Sequence, residues 1–437
     1  MRDLTIDADR LARELVGMLG AGVQRDPASL RAHAVDGLVP QIRCAPKDTD
    51  ELCAILRVCD ASGAAVIPWG GGTAMHWGNP PSRADVVISL ERFNRLVEHD
   101  DANLTATVQA GMRVAALQEL LGGRHQCLAI DPPDPQRSTI GGTVAANING
   151  PRRMAYGGVR DLVIGMKMVL ASGEPIKAGG KVVKNVAGYD MCKLFVGSLG
   201  TLGVITEVTF KMTPLPETAG TIVARGSLAQ TASLIEALFG SVLTPAAVTV
   251  VDGRVAAAAG LQPAEASVAV WAEGFTETVA RHVRDVQAMA GQSGMTTEVL
   301  HDIEHRRLWE TVRDFGAVGA PPVVFRLTVP PADVMPVLAV VCRLSDGGAL
   351  RYVAHAGTGT VWLAFDRPAP VTAWFPRLAA LAQEYHGHAV LAAAPPEVKR
   401  TVDVWGPSPQ ALGLMQELKR QFDPHGTLNP GRFVAGI

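Results

Sequence analysis

The spacing of apolar residues predicts alternating helices and strands in the first half of the chain. An i, i+3, i+4, i+7 pattern that begins at Leu52 predicts an amphipathic helix over 48–63, ended by Gly63. Threonines that alternate with apolar residues over 104–110 are typical of a half-buried strand. The other elements predicted here are strands at 64–67, 86–90 and 204–212, a helix at 114–121, and a hairpin of 162–170 with 175–178.

The pattern changes after Pro214-Leu215-Pro216, where we expect a domain boundary because proline does not continue a central strand. Ala and Val dominate from about 217 to 395. The elements predicted there are strands at 267–272, 323–329 and 361–365 and helices at 278–290 and 334–344. This mixture predicts a second α+β domain, followed by a tail with one helix at 410–422.

Glycine is concentrated in four segments of the first domain: Pro68–Thr73, Pro132–Gly142, Gly179–Asp190 and Gly197–Ile205. None has the Gly-x-Gly-x-x-Gly spacing that opens a helix after a strand, so the sequence does not support a nicotinamide dinucleotide site. The long stretch 130–158 is too glycine-rich for a helix, and a loop of that length is usually functional. Several such loops suit one long, rigid ligand better than a single phosphate.

The first glycine segment follows a predicted strand and contains three consecutive glycines, Gly70–Gly72. Glycine permits positive φ, and successive N–H groups can then converge into a nest for a pyrophosphate. A flexible turn is the alternative, because Gly-Gly-Gly is common in turns.

Composition narrows the function classes. The chain has 437 residues and a formal net charge of −2, and it has no basic cluster of the kind that binds nucleic acid. Residues 1–10 are polar, unlike a signal peptide, and apolar runs such as 334–342 are too short to cross a membrane. We therefore expect a cytoplasmic protein without direct membrane insertion, or one held at the inner membrane through partner subunits. None of its six cysteines forms a Cys-x-x-Cys pair, so we expect buried thiols rather than an iron–sulfur or zinc site.

In their order and wording, the glycine segments resemble the FAD-binding domain of the vanillyl-alcohol oxidase / p-cresol methylhydroxylase (PCMH) superfamily. Within it, the sequence is most similar to the FAD-binding subunits of bacterial glycolate oxidases, over 35–217 and the C-terminal stretch 422–433. The resemblance implies an α+β fold: a two-lobed PCMH-type FAD-binding domain, an α+β cap domain and a C-terminal tail that returns to the FAD domain. The implied boundaries are 1–34 for an N-terminal helical segment, 35–217 for the FAD domain, 218–400 for the cap and 401–437 for the tail.

The resemblance also implies which residues bind FAD. Those expected at the pyrophosphate are Trp69, Gly70, Gly71, Gly72 and Thr73, acting through backbone N–H groups. Those expected along the middle of the cofactor and its isoalloxazine are Pro132, Ser138, Thr139, Gly141, Gly142, Thr143, Asn147, Gly150, Tyr156 and Gly157. Gly203, Val204 and Ile205 would reach the adenine. Asn429 lies in the segment that would return the C-terminal tail to the FAD domain. A turn hydrogen bond is the alternative role for any one Ser or Thr here.

Two further expectations concern the mode of FAD binding. A branched residue at Gly71 is expected to abolish the flavin colour, because a side chain would block close backbone approach. His76 lies near the glycine loop, but its offset does not define a linkage, so covalent and non-covalent attachment both stay open.

The cap departs from a pattern found in related D-2-hydroxy-acid dehydrogenases. Their His-x-Gly-Asp-Gly-Asn-x-His and Gly-Glu-His-Gly stretches supply metal ligands and a base. Here Thr358, Thr360 and Trp362 replace the Asp, the Asn and the second His, and the later stretch, 385–389, lacks the Glu. The pairs His301/His305 and His386/His388, the latter expected on one face of a strand, lack a third ligand, so we expect no metal. His355 and His388 are weak candidates for a catalytic base.

The resemblance implies an FAD-dependent oxidoreductase acting on a CH–OH group. The first hypothesis is an FAD-binding subunit of a complex that converts glycolate to glyoxylate. Its partners would be a homologous FAD-containing subunit, which shares or carries substrate oxidation, and an iron–sulfur subunit that exports electrons. The isolated chain would then bind FAD but oxidise glycolate poorly. The alternatives are a self-sufficient dehydrogenase of another 2-hydroxy acid such as D-lactate, and an assembly subunit that binds FAD without catalysis of its own.

Overall fold

A computed structural model describes residues 6–181, 189–316, 323–345, 350–365 and 370–437. The first lobe contains α1 (Ala8–Leu19), β1 (Val23–Gln24), α2 (Pro27–Ala32), β2 (Ile42–Cys44), α3 (Thr49–Ser62), β3 (Val66–Trp69) and β4 (Val86–Ser89). Its four strands lie in the order β1-β2-β4-β3; β2 and β3 both run parallel to β4. The predicted helix 48–63 is confirmed: Asp48 caps the N-terminus of α3 and Gly63, with φ +69°, ends it.

The second lobe follows without a break in the core. It contains β5 (Leu96–Asp100), β6 (Thr105–Gln109), α4 (Val114–Gly122), β7 (Gln126–Cys127), α5 (Ile140–Ala145), α6 (Arg153–Tyr156), α7 (Val159–Leu162), β8 (Val163–Val169), β9 (Pro175–Gly179), α8 (Cys192–Phe195), β10 (Val204–Lys211) and β11 (Thr213–Pro214). An antiparallel sheet has the order β5-β6-β10-β8-β9, which confirms the predicted 162–178 hairpin as β8 and β9.

The stretch 130–158, predicted to be free of helix, contains two short helices, α5 and α6. Thr139 caps α5, with its hydroxyl accepting from the amide of Gly142. The glycines of α5 are kept because the helix lies against the end of β6: a Cβ added at Gly141 would be 2.7 Å from that of Ala110. Tertiary contact therefore outweighs the low helix propensity of glycine.

The cap domain is built on one large antiparallel sheet. Its elements are β12 (Thr218–Gly226), α9 (Leu228–Phe239), β13 (Ala247–Asp252), α10 (Gly253–Ala258), β14 (Ala266–Gly274), α11 (Thr276–Gln292), β15 (Thr296–Leu300), α12 (Asp302–Arg313), β16 (Val323–Thr328), α13 (Val334–Leu344), β17 (Leu350–His355), β18 (Thr360–Phe365), α14 (Val371–Glu384) and β19 (His388–Ala393). The strand order is β15-β12-β14-β13-β17-β18-β16-β19. Helices α9, α11, α13 and α14 cover one face, while α10 and α12 pack on part of the other.

The C-terminal tail carries α15 (Pro396–Lys399) and α16 (Leu412–Phe422) and then returns to the first lobe, as predicted. The amide of Val66 donates to Thr427 O (2.7 Å), and the amide of Asn429 donates to Val66 O (2.9 Å). The buried ammonium of Lys419 donates to Asp423, Thr201 O and Leu428 O at 2.6–2.9 Å. The tail is thus fixed beside β3, the strand that leads into the first glycine segment.

Several boundaries differ by about two residues: β3 begins at Val66 rather than 64, and α16 begins at Leu412 rather than 410. Residues 1–34, predicted as a helical segment, also contribute β1, which pairs with β2. The four-part division of the chain stays a proposal. Of the third glycine segment, 182–188 lie outside the described residues. Across the described ranges, no helix combines the length and apolarity that a membrane crossing requires.

Candidate functional site

A narrow channel, lined by loops from both lobes and the tail, brings together three of the four glycine segments. Twelve residues predicted at FAD line it: Trp69, Gly70, Gly71, Gly72, Thr73, Thr139, Gly141, Gly142, Gly203, Val204, Ile205 and Asn429. These loops also touch one another closely. A Cβ added at Gly70 would lie 2.2 Å from Thr139 Oγ1, and one at Gly71 would lie 1.8 Å from Arg137 O. Glycine is required here first for loop-to-loop packing.

The channel wall offers hydrogen-bonding groups that the protein itself leaves unused. Within the described part of the chain, the amides of Gly70–Thr73 donate to no protein acceptor. Asn429 Oδ1 and Arg432 Nε are buried there and likewise have no partner among the described residues. Buried polar side-chain atoms without a partner are rare and costly, so Asn429 Oδ1 and Arg432 Nε, beside the free amides of a half-buried loop, indicate a polar ligand.

Arg432 adds a positive charge to this channel. Its guanidinium donates to Met75 O (2.8 Å) and Trp77 O (2.6 Å), which fixes the loop that follows the glycines. Burial lowers the pKa of Arg432 to about 10, and Asp36 opposes that shift. Free amides beside a fixed cation match the chemistry of a diphosphate, so the residues present fit FAD.

Five predicted FAD residues line neither this channel nor the cavity described below: Pro132, Ser138, Thr143, Tyr156 and Gly157. The hydroxyl of Ser138 donates to Pro133 O (2.6 Å), and that of Thr143 donates to Thr139 O (2.9 Å). Tyr156 donates to Glu273 of the cap (2.6 Å), and burial followed by this contact raises its pKa. These side chains hold turns and the domain interface together.

A second cavity, of about 290 Å³, lies between the FAD domain and the cap. Ala145 and Ala146 line the channel, while the next two residues, Asn147 and Ile148, line this interdomain cavity. Of the predicted residues, it collects Asn147, Gly150, His355 and His388. The chain thus places a partly polar cavity directly beyond one end of the channel wall.

The cap side of the interdomain cavity is one row of four polar residues, here called the polar row. His355, Thr360, Thr328 and His388 are register neighbours across β17, β18, β16 and β19. The row preceding it along the sheet, Ala354, Val361, Leu327 and Ala389, faces the opposite side and enters the hydrophobic core of the cap. Strand alternation therefore places all four polar side chains on the face toward the FAD domain.

The two histidines end this row in different environments. His355 is buried, its Nδ1 lies 3.0 Å from Thr249 Oγ1, and burial lowers its pKa to about 4. His388 is exposed, and partial desolvation together with the charge of Arg326 lowers its pKa. Three inter-strand steps separate them by roughly 14 Å, so they do not act on the same substrate atom.

The histidines that the sequence suggested as pairs lie in separate surroundings. His386 precedes β19 with φ +56°, so it does not share a strand face with His388, and that expectation was wrong. His305 Nδ1 contacts Thr221 Oγ1 at 2.8 Å. Among the described residues, no three His, Cys, Asp or Glu side chains group as metal ligands. The described cysteines are all free, and five are buried.

Sequence reasoning missed the most unusual residue of the cavity, Arg326. It lies in the middle of β16 (Val-Val-Phe-Arg-Leu-Thr), and its guanidinium carbon is 5.2 Å from the Trp77 ring centroid and 5.8 Å from that of Trp362. A charged residue inside an apolar strand was the available signal.

Comparison with known proteins places these features in context. Residues 40–179 match the FAD binding domain family, and 221–433 match the C-terminal domain of FAD linked oxidases. The chain is 30% identical over 424 residues to glycolate oxidase subunit GlcD of Bacillus subtilis (strain 168), covering 91% of this chain and 89% of that protein. It is 35% identical over 180 residues to D-lactate dehydrogenase of Anaerostipes hadrus, covering 41% of this chain and 37% of that one.

The fold is similar to the crystal structure of p-cresol methylhydroxylase with substrate bound. The TM-score is 0.77 at 15% identity, covering 97% of this chain and 96% of that one. At this identity the likeness concerns the fold alone, and the predicted PCMH-type architecture is confirmed.

Proposed function

This chain is a member of the FAD-linked oxidase family and an FAD-dependent oxidoreductase, and on that premise we propose that it oxidises a small 2-hydroxy acid, glycolate first, within a multi-subunit glycolate oxidase. One observation carries the proposal. A channel with free amides and a fixed cation leads, along Ala145–Ile148, to a basic cavity between the domains. The full-length similarity to a glycolate oxidase subunit supports the choice of substrate.

FAD fits the channel through the groups that the protein leaves unused. The amides of Gly70–Thr73 and the guanidinium of Arg432 would hold its diphosphate, and Asn429 Oδ1 would accept from a hydroxyl or N–H of the cofactor. The backbone of Gly203–Ile205 forms the wall expected at the adenine end. FAD, when bound, accepts the hydride equivalent that leaves the α-carbon of the hydroxy acid.

The residues of the interdomain cavity supply the remaining functions. His355 is neutral at pH 7, because burial lowers its pKa to about 4, so a ring nitrogen can accept a hydrogen bond from the hydroxyl of a substrate. That role requires Nδ1–H to donate to Thr249 Oγ1, which leaves Nε2 as the free base. Thr328 and Thr360, its neighbours in the polar row, offer hydroxyls to orient a substrate oxygen.

We further propose that substrate oxidation is shared with a homologous flavoprotein and that an iron–sulfur subunit removes the electrons. Support comes from the relative in Bacillus subtilis, whose name, glycolate oxidase subunit GlcD, describes one component of a larger enzyme. The proposed oxidation of glycolate is the same whichever of the two homologous flavoprotein subunits this chain is. The interdomain cavity gives this chain a candidate substrate site of its own, which its sequence did not indicate.

D-lactate is the second candidate substrate. A dehydrogenase of D-lactate is 35% identical over 180 residues. The ring of Trp362 beside the polar row provides an apolar surface for a methyl group next to the reacting carbon.

The test is anaerobic mixing of the FAD-loaded chain with substrate, with and without co-expressed partner subunits. We expect the visible absorbance of oxidised flavin to fall slowly with glycolate for the isolated chain and faster in the complex. Ethylene glycol, which has the alcohol without the carboxylate, should leave it unchanged. Equal rates in both preparations would favour the self-sufficient dehydrogenase, and faster bleaching by D-lactate would reassign the substrate. Protein that stays colourless after incubation with FAD would refute the proposal.

A further inference from the structure

Arg326 is placed in the interdomain cavity by the pleat of the cap sheet. In register it lies between Trp362 of β18 and Val390 of β19, two residues along β16 from the polar row and on the same face. Its guanidinium carbon packs over both Trp77 of the FAD domain and Trp362 of the cap, whose ring centroids are 6.1 Å apart. Cation–π contact with both rings holds the guanidinium at this position in the cavity.

This guanidinium is half-buried, with its Nε enclosed, and has no counter-ion among the described residues. Arg326 forms no hydrogen bond or ion pair with any part of the chain that the structure describes, and its Nε is a buried donor without a partner. Burial lowers the pKa of Arg326 to about 10, and the like charge of Arg153 acts in the same direction. A partly desolvated charge without a partner is unfavourable, so the folded protein gains from an anion at this position.

The acidic residue that lines the same cavity is already engaged. Both carboxylate oxygens of Asp131 accept from Arg152, at 2.6–3.1 Å. Arg313, which also lines the cavity, is bound to Asp314. Neutralisation of Arg326 therefore falls to a ligand that enters the cavity.

We propose that Arg326 is the carboxylate anchor of the interdomain cavity, so that this site selects small carboxylates. A planar guanidinium matches a carboxylate through two parallel hydrogen bonds. Thr328, two residues along β16 on the same face, points into the cavity beside the anchor. The anchor would hold one end of a 2-hydroxy acid while its hydroxyl faces the polar row. That the ligand is a 2-hydroxy acid rests on the proposed function. That it binds through a carboxylate rests on the unpaired guanidinium of Arg326.

Binding of oxalate to the FAD-loaded chain tests the anchor separately from catalysis. Oxalate carries carboxylates but no C–H bond at an α-carbon, and its neutral counterpart oxamide is the comparison ligand. We expect oxalate, and not oxamide, to perturb the visible spectrum of the bound flavin. Arg326→Gln should weaken oxalate binding by roughly 100-fold, and Arg326→Lys, which keeps the charge without the planar fork, by about 10-fold. Flavin content should be unchanged in both.

The thermal midpoint separates this role from a structural one. Removing an unpaired, half-buried charge should leave the melting temperature of Arg326→Gln unchanged or higher, whereas a structural arginine would lower it. The matched control is Arg225→Gln, which removes a cap-sheet arginine paired with Glu298 outside the cavity and should leave oxalate affinity unchanged.

The remaining outcomes distinguish the two proposals. Wild-type oxalate affinity in Arg326→Gln overturns the anchor even if glycolate is oxidised. If oxalate binds through Arg326 but no 2-hydroxy acid is oxidised, the anchor is supported and the proposed function is wrong. A shifted flavin reduction potential with unchanged oxalate affinity would assign the guanidinium to the cofactor and overturn the anchor.

Discussion

At the scale of single residues, the informative positions are polar groups that the fold buries. Some are fully satisfied by the protein: the ammonium of Lys419 reaches Asp423 and two backbone carbonyls. Others, such as Arg326 Nε and Asn429 Oδ1, have no partner among the described residues and line the two spaces where ligands are proposed. Satisfied groups hold the fold, and the unsatisfied ones that line the channel or the cavity indicate what it binds.

Lys419→Met should destabilise the whole chain, because Asp423 and two carbonyls would lose their buried cation. The expected loss in free energy of unfolding is about 3–5 kcal/mol. Urea denaturation measures it. The neighbouring Arg420 is exposed, so Arg420→Met provides a matched control that should change stability by less than about 0.5 kcal/mol. Equal effects of the two substitutions would contradict a buried tail contact.

At the scale of elements, the channel depends on α5 and the glycine loop packing against one another. A branched residue at Gly71 is expected to abolish flavin binding, but the cause is a clash within the protein rather than a blocked cofactor. A Cβ there would meet Arg137 O at 1.8 Å before it met a ligand, so the variant would disturb the protein itself. A position that faces the channel without such contact tests cofactor binding more cleanly.

Ala145→Leu, at the C-terminal end of α5, should narrow the channel and reduce the FAD content of purified protein at least tenfold, because added side-chain volume competes with a tightly held ligand. FAD content is read from the visible absorbance after desalting. Ala116→Leu adds the same volume on the exposed face of α4 and should retain full flavin. Full flavin in Ala145→Leu would mean that FAD lies elsewhere.

At the scale of the whole molecule, three histidines are kept neutral by burial in different regions. The pKa values of His76, His305 and His355 are each lowered from 6.5 to about 4, chiefly by desolvation. Between pH 6.5 and about 4 the unfolded chain binds more protons at these sites than the folded one. Stability should therefore fall as the pH falls through that window.

Urea denaturation of the FAD-free protein at pH 7.5, 6 and 5 checks this dependence. Between pH 6 and 5, where His355 is largely protonated in the unfolded chain but neutral in the fold, it contributes a slope approaching about 1.4 kcal/mol per pH unit, and His355→Gln should remove that part. His301→Gln, which changes an exposed histidine, should leave the slope unaltered. A slope that persists in His355→Gln would mean that this histidine is protonated in the folded state.

What the sequence determined by itself is local. Helical spacing and Asp48 and Gly63 specified α3, alternation specified β6, and the glycine segments with the tail motif specified a PCMH-type FAD-binding fold, because each signal lies within a few residues of chain. The interdomain cavity, in contrast, depends on long-range packing. The polar row and Arg326 lie on strands whose neighbours are not consecutive in the chain, and their meeting depends on sheet order and on domain packing. The same holds for Ser138 and Thr143: their residue type suggests ligand binding, but the surrounding backbone already uses their hydroxyls.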